Sequence, residues 1–414
     1  MVISMSETIN IRPDVSVYAT YRRLSYTPWH AIAEFVDNST QNYYDHRKEL
    51  IEAFKKEGKP GKLRVEIAYD SDNNSLKVVD NANGMNLDEL SRAVVLDKPP
   101  PDRSGRCEYG MGLKTAACWL GKSWTIETKR LGSDRQYTVT VNVPDLAKYH
   151  TETIRVKEKP ALRDNHFTRI TIEDLYKPLK GRTFERIRDQ LGSMYRCDLR
   201  TGEIEILWDG IPVSFEEPSF LIEELEDGKR IWKKDVSFDV HWRTGGSELR
   251  VRGWIGIRTP GRQRDAGFAL LRRGRVVVGG PNEGYKPTEI FGQGNTFRSQ
   301  RLVGELHLDD WPVTQAKDAF DWSGGLEDLF IEELEWHCKD YMDKSEGYRE
   351  KTKPLTRVDL ELASEATKAT FSDERFGKAV FDEIRFPEGK KTKEQEQADA
   401  VKLRKVSIGP TQYR

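Results

Sequence analysis

Hydrophobic and polar residues along the first 200 positions follow two periods, one typical of helices and the other of strands. Helices are predicted at 28–56, at 113–121 and at 184–196. Strand-like alternation occurs in five further segments, namely 63–70, 74–80, 123–130, 135–143 and 167–175. This mixture predicts an α+β domain, and we expect its boundary near residue 200.

The second part of the chain combines strands with one long helix. Strands are predicted in 203–215, 234–243, 249–258 and 267–279, and an amphipathic helix in 326–342. From about residue 346 the chain becomes very polar, so we expect a tail that is helical with a partner or partly disordered. The predicted division is 1–200, 201–345 and 346–414.

Composition changes this picture little. The 414 residues include 67 Lys and Arg against 68 Asp and Glu, so any basic surface that attracts a partner must be local. The chain starts without a basic segment and has no apolar stretch of the roughly 18 residues that span a bilayer, which predicts a soluble, cytoplasmic protein with no membrane partner. The four cysteines form no CxxC pair, which argues against a zinc site or a disulfide framework.

The segment AIAEFVDNST, residues 31–40, places Glu34, Asp37 and Asn38 on one stripe of a predicted helix. Two carboxylates and an amide so close together are costly unless a cation or a hydrogen-bond donor lies among them. The amide oxygen of Asn38 suits magnesium, and the Glu34 carboxylate one turn away is placed to deprotonate a water. The alternative is a polar helix face near solvent.

The segment VVDNANGMNLDEL places Asp80 at the end of an apolar strand, before a turn in which Gly84 permits a positive φ. A carboxylate held there is suited to accept a hydrogen bond from the exocyclic amine of a base, and Met85 offers an apolar wall. The alternative is a strand followed by an ordinary Asn-Gly turn.

Two further segments are weaker on their own. YGMGLKTAA has Gly110 and Gly112 directly before a helix, where free backbone N–H groups favour an anion, and Lys114 adds a positive charge. In HFTRITI, Thr168 precedes a strand and is placed to bond a base or a bridging water. The alternatives are a plain loop and a plain strand.

Together and in this order, the four segments resemble the Bergerat-fold GHKL ATPases, the group that contains gyrase B, MutL, histidine kinases and the large heat-shock chaperones. AIAEFVDNS, DNANGM and YGMGLKTAA are most similar to the MORC branch and its bacterial relatives. The resemblance covers roughly residues 15–175 through motifs. It implies a Bergerat-type ATPase domain, a mixed sheet covered by helices, followed by a transducer-like α/β domain and the polar tail.

The resemblance also implies a role for each candidate residue in magnesium-dependent ATP hydrolysis. Glu34 would be the general base, Asn38 the Mg²⁺ ligand, and Lys317, in a loop after a strand of the second part, the contact to the γ-phosphate. The residues that would hold adenine are Asp80, Gly84, Met85 and Thr168. The phosphates would lie beneath a lid drawn from residues 97–112 and would be held by Gly110, Gly112 and Lys114.

Two positions depart from the family pattern. Ala82 stands where the family commonly has glycine in the turn after Asp80, and Cys107 stands at the first glycine of the lid, with Gly105 two residues away. Neither departure removes a residue with an expected chemical role, so we expect hydrolysis that is slow.

The expected output follows from the family and from one charge cluster. ATP commonly closes two protomers into a dimer, and residues 9–29 are expected at that interface. The window 243–280 has only Glu248 and Asp265 as acids against nine arginines, namely Arg243, Arg250, Arg252, Arg258, Arg262, Arg264, Arg272, Arg273 and Arg275. They form either a surface for phosphates or a set that pairs with acids elsewhere.

Two hypotheses for the output therefore stand. One is an ATP-gated clamp that acts on double-stranded DNA, in a bacterial defence or repair system. The other is a nucleotide-switched assembly protein that recruits a protein partner through the tail. A histidine kinase is disfavoured because no dimerisation helix with a phosphoacceptor His precedes Ala31, and a full topoisomerase because little chain remains for a cleavage domain.

Overall fold

The computed structural model describes residues 14–96, 98, 101, 105–108, 110–226, 228–242, 246, 248–314 and 317–347. Met1–Gly347 form one compact unit, and a second unit, Tyr348–Arg414, lies outside the described residues. The predicted tail therefore lies outside the described residues, apart from its first two residues. The start of the segment expected at a dimer interface, residues 9–13, also lies outside them.

The first region, residues 14–212, mixes helices and strands as the sequence predicts. Its helices are α1 (Val17–Thr20), α2 (Pro28–Asp45), α3 (Arg47–Lys56), α4 (Leu87–Val94), α5 (Gly112–Leu120), α6 (Val143–Tyr149), α7 (Thr183–Met194) and α8 (Arg196–Thr201). Its strands are β1 (Leu63–Asp70), β2 (Ser75–Asp80), β3 (Gly121–Lys129), β4 (Arg135–Asn142), β5 (Val156–Pro160), β6 (Phe167–Leu175), β7 (Ile204–Trp208) and β8 (Ile211–Pro212).

These strands form one mixed sheet in the order β5-β4-β3-β6-β2-β1-β7-β8. Strands β1 and β7 are parallel, and the other neighbours are antiparallel. Along β1 buried and exposed side chains alternate, with Leu63, Val65 and Ile67 buried, because one face of the sheet is covered and the other is not. Helices α2 and α5 pack on the sheet and on each other.

The long helix α2 begins where its local sequence predicts. Thr27 caps its N-terminus by accepting a hydrogen bond from the backbone N–H of His30, and Pro28 occupies the first helical position. The predicted helix over 28–56 is divided at His46, whose backbone leaves the helical conformation between α2 and α3. Because the apolar side chains of α2 pack into the core, they set the direction in which its polar stripe faces.

The second region, residues 213–347, contains a five-stranded sheet, a two-stranded sheet and a long helix. Its elements are β9 (Ile222–Leu225), β10 (Gly228–Ile231), β11 (Lys233–His241), β12 (Glu248–Ile257), β13 (Gly267–Arg272), β14 (Arg275–Val278), α9 (Thr288–Phe291), α10 (Phe297–Arg301), β15 (Leu302–His307) and α11 (Leu326–Gly347). The larger sheet has the order β11-β12-β15-β13-β14.

The predicted α+β class is confirmed, with two differences in detail. Strands β7 and β8 lie beyond residue 200 and extend the sheet of the first region, because β7 pairs with β1. Thr168 lies within β6, opposite Asp80 of β2, and does not precede the strand. In the described part of the chain, no helix is long and apolar enough to cross a membrane, and all four cysteines are free.

Candidate functional site

A cavity of about 260 Å³ lies between helix α2, the start of α5 and the loop that follows β15. Six of the ten residues predicted for the site line it, and these are Glu34, Asn38, Met85, Gly110, Gly112 and Lys317. The first and the last of them are 283 residues apart in the chain. The cavity is therefore built by both regions of the molecule.

One face of α2 supplies the polar wall of this cavity. Glu34, Asn38 and Asn42 follow one another at four-residue spacing and all three line it. Asn42 also fixes the turn after β2, because its side chain accepts from the N–H of Asn83 at 2.7 Å and donates to the carbonyl of Gly84 at 3.3 Å. Sequence reasoning missed Asn42, although its place four residues after Asn38 is a usable signal.

The Glu34 carboxylate is buried against glycine and lysine. Its Oε2 atom accepts a hydrogen bond from Lys317 Nζ at 3.3 Å, while Oε1 has no partner among the residues that the structure describes. A Cβ atom on Gly112 would lie 1.8 Å from Oε2, so a larger residue at this position would displace the carboxylate from its present place. Glu34 is thus held at the cavity wall with one oxygen left for another donor.

Lys317 reaches Glu34 from a backbone position that is uncommon for lysine. The residue has φ +51° in the loop between β15 and α11, and its side chain is only 10 % exposed. Burial lowers the pKa of Lys317, but Glu34 and Asp37 raise it more, so the net shift is well upward and the ammonium stays charged. Non-glycine residues in the left-handed region are concentrated at functional sites.

Asp37 faces the second region and not the cavity. Its Oδ1 atom accepts from the Tyr195 hydroxyl at 2.8 Å, and Oδ2 lies 3.0 Å from Arg275 Nη1 and 3.6 Å from Lys317 Nζ. Burial raises the pKa of Asp37, but Arg275 and Lys317 lower it more, so the net shift is downward. The cations that the crowded carboxylates require therefore come from the chain itself.

Asn38 has both ends of its amide occupied. The nitrogen donates to the carbonyl of Glu34 at 2.6 Å, and the oxygen accepts from the Cys107 thiol at 3.1 Å. Burial raises the pKa of that thiol to about 12, which keeps it protonated as a donor. Among the described residues no group of three or more His, Cys, Asp or Glu is placed to hold a metal ion.

The other end of the predicted site, around Asp80, uses neutral donors. The Asp80 carboxylate accepts from Ser39 Oγ at 2.7 Å and from the backbone N–H groups of Ala82 and Thr168 at 3.0 and 3.1 Å. Burial raises the pKa of Asp80, since these hydrogen bonds only partly offset it. Gly84, with φ +74°, passes so close to the Lys129 carbonyl that a Cβ atom would lie 2.0 Å from its oxygen.

Four predicted residues are not part of the cavity wall, and they are Asp80, Gly84, Lys114 and Thr168. Lys114 is buried, and its ammonium donates to the carbonyls of Gly110 and of Arg92, the latter at 3.1 Å. Burial lowers the pKa of Lys114 to about 8. In this structure Lys114 therefore stabilises the loop before α5 and does not point into the cavity.

Residues 26–174 match the family model described as histidine kinase-, DNA gyrase B-, and HSP90-like ATPase. This segment is similar to GHKL-type ATPases. It contains every predicted site residue except Lys317, and the match supports ATP binding and hydrolysis. No curated protein matches the chain. The closer resemblance to the MORC branch stays a prediction.

The GHKL-like segment is joined to the second region at its predicted lid. Arg106 forms a bidentate ion pair with Asp198 at 2.8 and 3.0 Å and donates from Nε to the carbonyl of Arg273 at 3.1 Å. Glu108 accepts from Arg272 at 2.7 Å. Arg106 and Glu108 of the predicted lid thus contact the hairpin formed by β13 and β14.

The arginine-rich window does not form an unpaired basic surface. All eight of its described arginines have a carboxylate oxygen within 3.9 Å, while Arg243 lies outside the described residues. The carboxylates belong to Asp37, Glu108, Asp189, Asp239, Asp265 and Asp309. Six of these arginines pair with acids outside the window, as one of the two interpretations predicts, whereas Arg258 and Arg262 share Asp265 within it.

Proposed function

We propose that the protein binds ATP in the cavity on α2 and hydrolyses it, with Glu34 as the general base. The supporting observation is the Glu34 carboxylate, which is buried at the cavity wall with Oε1 unpaired among the described residues. A base must lie within hydrogen-bond reach of the water that it deprotonates. The Glu34 side chain lines the cavity beside the N-terminus of α5, where phosphates are favoured, so its carboxylate is placed to meet this requirement.

Asn38 is proposed as the protein ligand of Mg²⁺. A single amide oxygen fits this ion, because Mg²⁺ is commonly held by one or two protein ligands together with substrate phosphates and several waters. The magnesium ion supplies charge neutralisation at the phosphates when it is bound. For this role, the Asn38 oxygen must give up its hydrogen bond from the Cys107 thiol.

Lys317 is proposed to bind the γ-phosphate. Its ammonium already lies at the cavity wall, held by Glu34 and Asp37. Transfer of the lysine to the phosphate would release Glu34 to accept a proton and would stabilise the charge on the transferring group. Turnover would therefore require both regions of the molecule.

The adenine and phosphate contacts remain as the resemblance assigns them. Among the described residues, Asp80 Oδ2 accepts one hydrogen bond, from Ser39, and a carboxylate oxygen has a second lone pair for an amino group. Met85 lines the cavity next to this end. The other assigned contacts are Gly84 and Thr168 for adenine and Gly110 and Gly112 for the phosphates. Lys114 would join the phosphate contacts only by leaving the carbonyls of Gly110 and Arg92.

Phosphate release from ATP by the full chain tests this proposal. We expect Mg²⁺-dependent turnover in the wild type that falls by at least about 100-fold in Glu34→Gln, while nucleotide binding persists. Glu49→Gln, a matched change at an exposed glutamate on α3, serves as the control and should leave turnover unchanged. Equal turnover of Glu34→Gln and wild type would contradict the role of Glu34.

For the output, we propose ATP-dependent closure of a homodimer that acts on double-stranded DNA, as the resemblance to MORC-like and MutL-like ATPases implies. Because the described arginines of the window have carboxylate partners, this window adds no argument for action on DNA. The test is therefore ATP turnover measured with and without double-stranded DNA. Stimulation of about fivefold or more would support it, because coupling between two binding sites typically reaches at least that factor. Unchanged turnover together with tail-dependent capture of a protein would support the alternative, a nucleotide-switched assembly protein.

A further inference from the structure

Asp37 is a buried carboxylate that two cations share. Arg275 Nη1 lies 3.0 Å and Lys317 Nζ 3.6 Å from the same oxygen, Oδ2, while Tyr195 occupies Oδ1. The contact with Arg275 is an ion pair without the alignment of a hydrogen bond. Asp37 and Tyr195 are fully buried, and the Arg275 side chain is 2 % exposed. The carboxylate therefore depends on protein cations for its neutralisation.

The two cations differ in their freedom to move. Arg275 begins strand β14, which is hydrogen-bonded to β13 within the five-stranded sheet, and it does not line the cavity. Lys317 lies in a loop and its ammonium does reach the cavity. The backbone of Arg275 is thus held in a sheet, whereas Lys317 is placed to move from Asp37 towards the cavity.

Departure of Lys317 would be costly without a second cation. A buried carboxylate that loses its counter-ion is strongly destabilising, because water does not replace the lost interaction. Arg275 offsets this cost, since it remains 3.0 Å from Asp37 whichever group Lys317 contacts. When Lys317 moves away, Arg275 stays with Asp37, and Glu34 is the carboxylate that loses its lysine partner.

We propose that Arg275 is a positioning residue that keeps Asp37 neutralised while Lys317 moves from Glu34 and Asp37 to the γ-phosphate. This inference rests on the proposed function, because it requires that the cavity binds ATP. It assigns to Arg275 a role that is specific for nucleotides with a γ-phosphate. Nucleotides without that phosphate leave Lys317 on the two carboxylates and do not need Arg275.

The test is the affinity of the full chain for two nucleotides, AMPPNP and ADP, measured by calorimetry with Mg²⁺. In Arg275→Met, we expect the preference for AMPPNP over ADP to fall at least about tenfold, because Lys317 is then the only described cation that forms an ion pair with Asp37. In Asp37→Asn/Arg275→Met, the preference should return to within about threefold of wild type, since position 37 then carries no charge for a second cation to neutralise. Arg275→Lys, which retains the charge, should also preserve it.

Arg250→Met is the matched control. Arg250 lies on β12 of the same sheet, its side chain is 65 % exposed, and it is 3.6 Å from Asp239. We expect this variant to bind both nucleotides as the wild type does. A loss of the AMPPNP preference in Arg250→Met equal to that in Arg275→Met would overturn the specific role of Arg275.

Four other results would overturn the inference. Equal weakening of AMPPNP and ADP in Arg275→Met would show a purely structural role, and so would a double variant that stays as impaired as the single one. If Arg275→Met does not fold, the double variant decides: a wild-type preference supports the inference and a tenfold lower one overturns it. A wild type that binds neither nucleotide would overturn the proposed function as well, which distinguishes the two failures.

Discussion

Asp37 and Asp80 are buried carboxylates at opposite ends of the candidate site, and they are neutralised differently. Asp37 faces Arg275 and Lys317, two cations from the second region, whereas Asp80 accepts three hydrogen bonds from neutral donors within the first region. Burial raises the pKa of both, but the net shift is downward at Asp37 and upward at Asp80. One end of the site requires the second region, and the other is complete without it.

Two buried lysines of the predicted site, Lys317 and Lys114, show a similar contrast. Lys317 lies between the carboxylates of Glu34 and Asp37, which more than offset its burial, and its pKa is raised. Lys114 has two backbone carbonyls as partners, and burial lowers its pKa to about 8. A formal charge next to the lysine, and not burial alone, therefore decides which way its pKa moves.

The largest expected effect is at the charged end. Asp37→Asn leaves Arg275 and Lys317 without the carboxylate that they share, so we expect the free energy of unfolding to fall by about 3–5 kcal/mol. Urea denaturation of the full chain measures it. The matched change at an exposed turn residue, Asp72→Asn, should alter stability by less than about 0.5 kcal/mol.

At the neutral end, the effect on stability should be smaller. Asp80→Asn keeps an acceptor oxygen for some of the three donors, so we expect a loss of about 1–2 kcal/mol. The affinities for AMPPNP and ADP should both fall by at least about tenfold, because both nucleotides carry adenine. The contrast between the two ends would be wrong if this variant lost more stability than Asp37→Asn.

The lysine contrast predicts a pH dependence. With a folded-state pKa of about 8 against an ordinary value of 10.5, Lys114 binds fewer protons folded than unfolded between these two pH values. Its contribution therefore makes the protein more stable as pH rises from 8 towards 10.5, by about 1 kcal/mol per pH unit. Unfolding free energies of wild type and Lys114→Met across this range measure the difference. Identical slopes would contradict the assignment.

The smallest expected effect concerns Cys107. Cys107→Ala removes a weak donor from the Asn38 oxygen, so the affinity for AMPPNP with Mg²⁺ should rise about twofold to threefold. Without Mg²⁺ the affinity should not change, and calorimetry in both conditions separates the cases. An equal rise in both conditions would argue against Asn38 as the metal ligand.

Sequence reasoning succeeded where the interactions are local. The strands and the α2 stripe follow from spacing, and Gly84 and Gly112 occupy positions where a Cβ atom would clash with a neighbour. It also predicted a cation or a hydrogen-bond donor among the crowded carboxylates, and the structure has Lys317 there. The family order named Lys317 as the γ-phosphate contact, which stays a prediction.

The missed residues are those whose partners are distant in the chain. Tyr195 is 158 residues from Asp37, and no period or motif indicates their contact. Counting arginines in the window 243–280 shows the charge but not the partners, so the sequence leaves open whether Arg275 lies at a surface or pairs with an acid, and the structure buries it against Asp37. Sequence also does not show which carbonyls the Lys114 side chain meets, so its contact with the phosphates stays a prediction.

The most direct test of a site shared by two regions is phosphate release by Lys317→Met. Lys317 is the one predicted site residue outside the GHKL-like segment, and its ammonium lies 3.3 Å from Glu34. We predict that turnover falls by at least about 100-fold, while the affinity for ADP stays within about threefold of wild type. Turnover within about threefold of wild type would contradict the account, because the GHKL-like segment would then act without the second region.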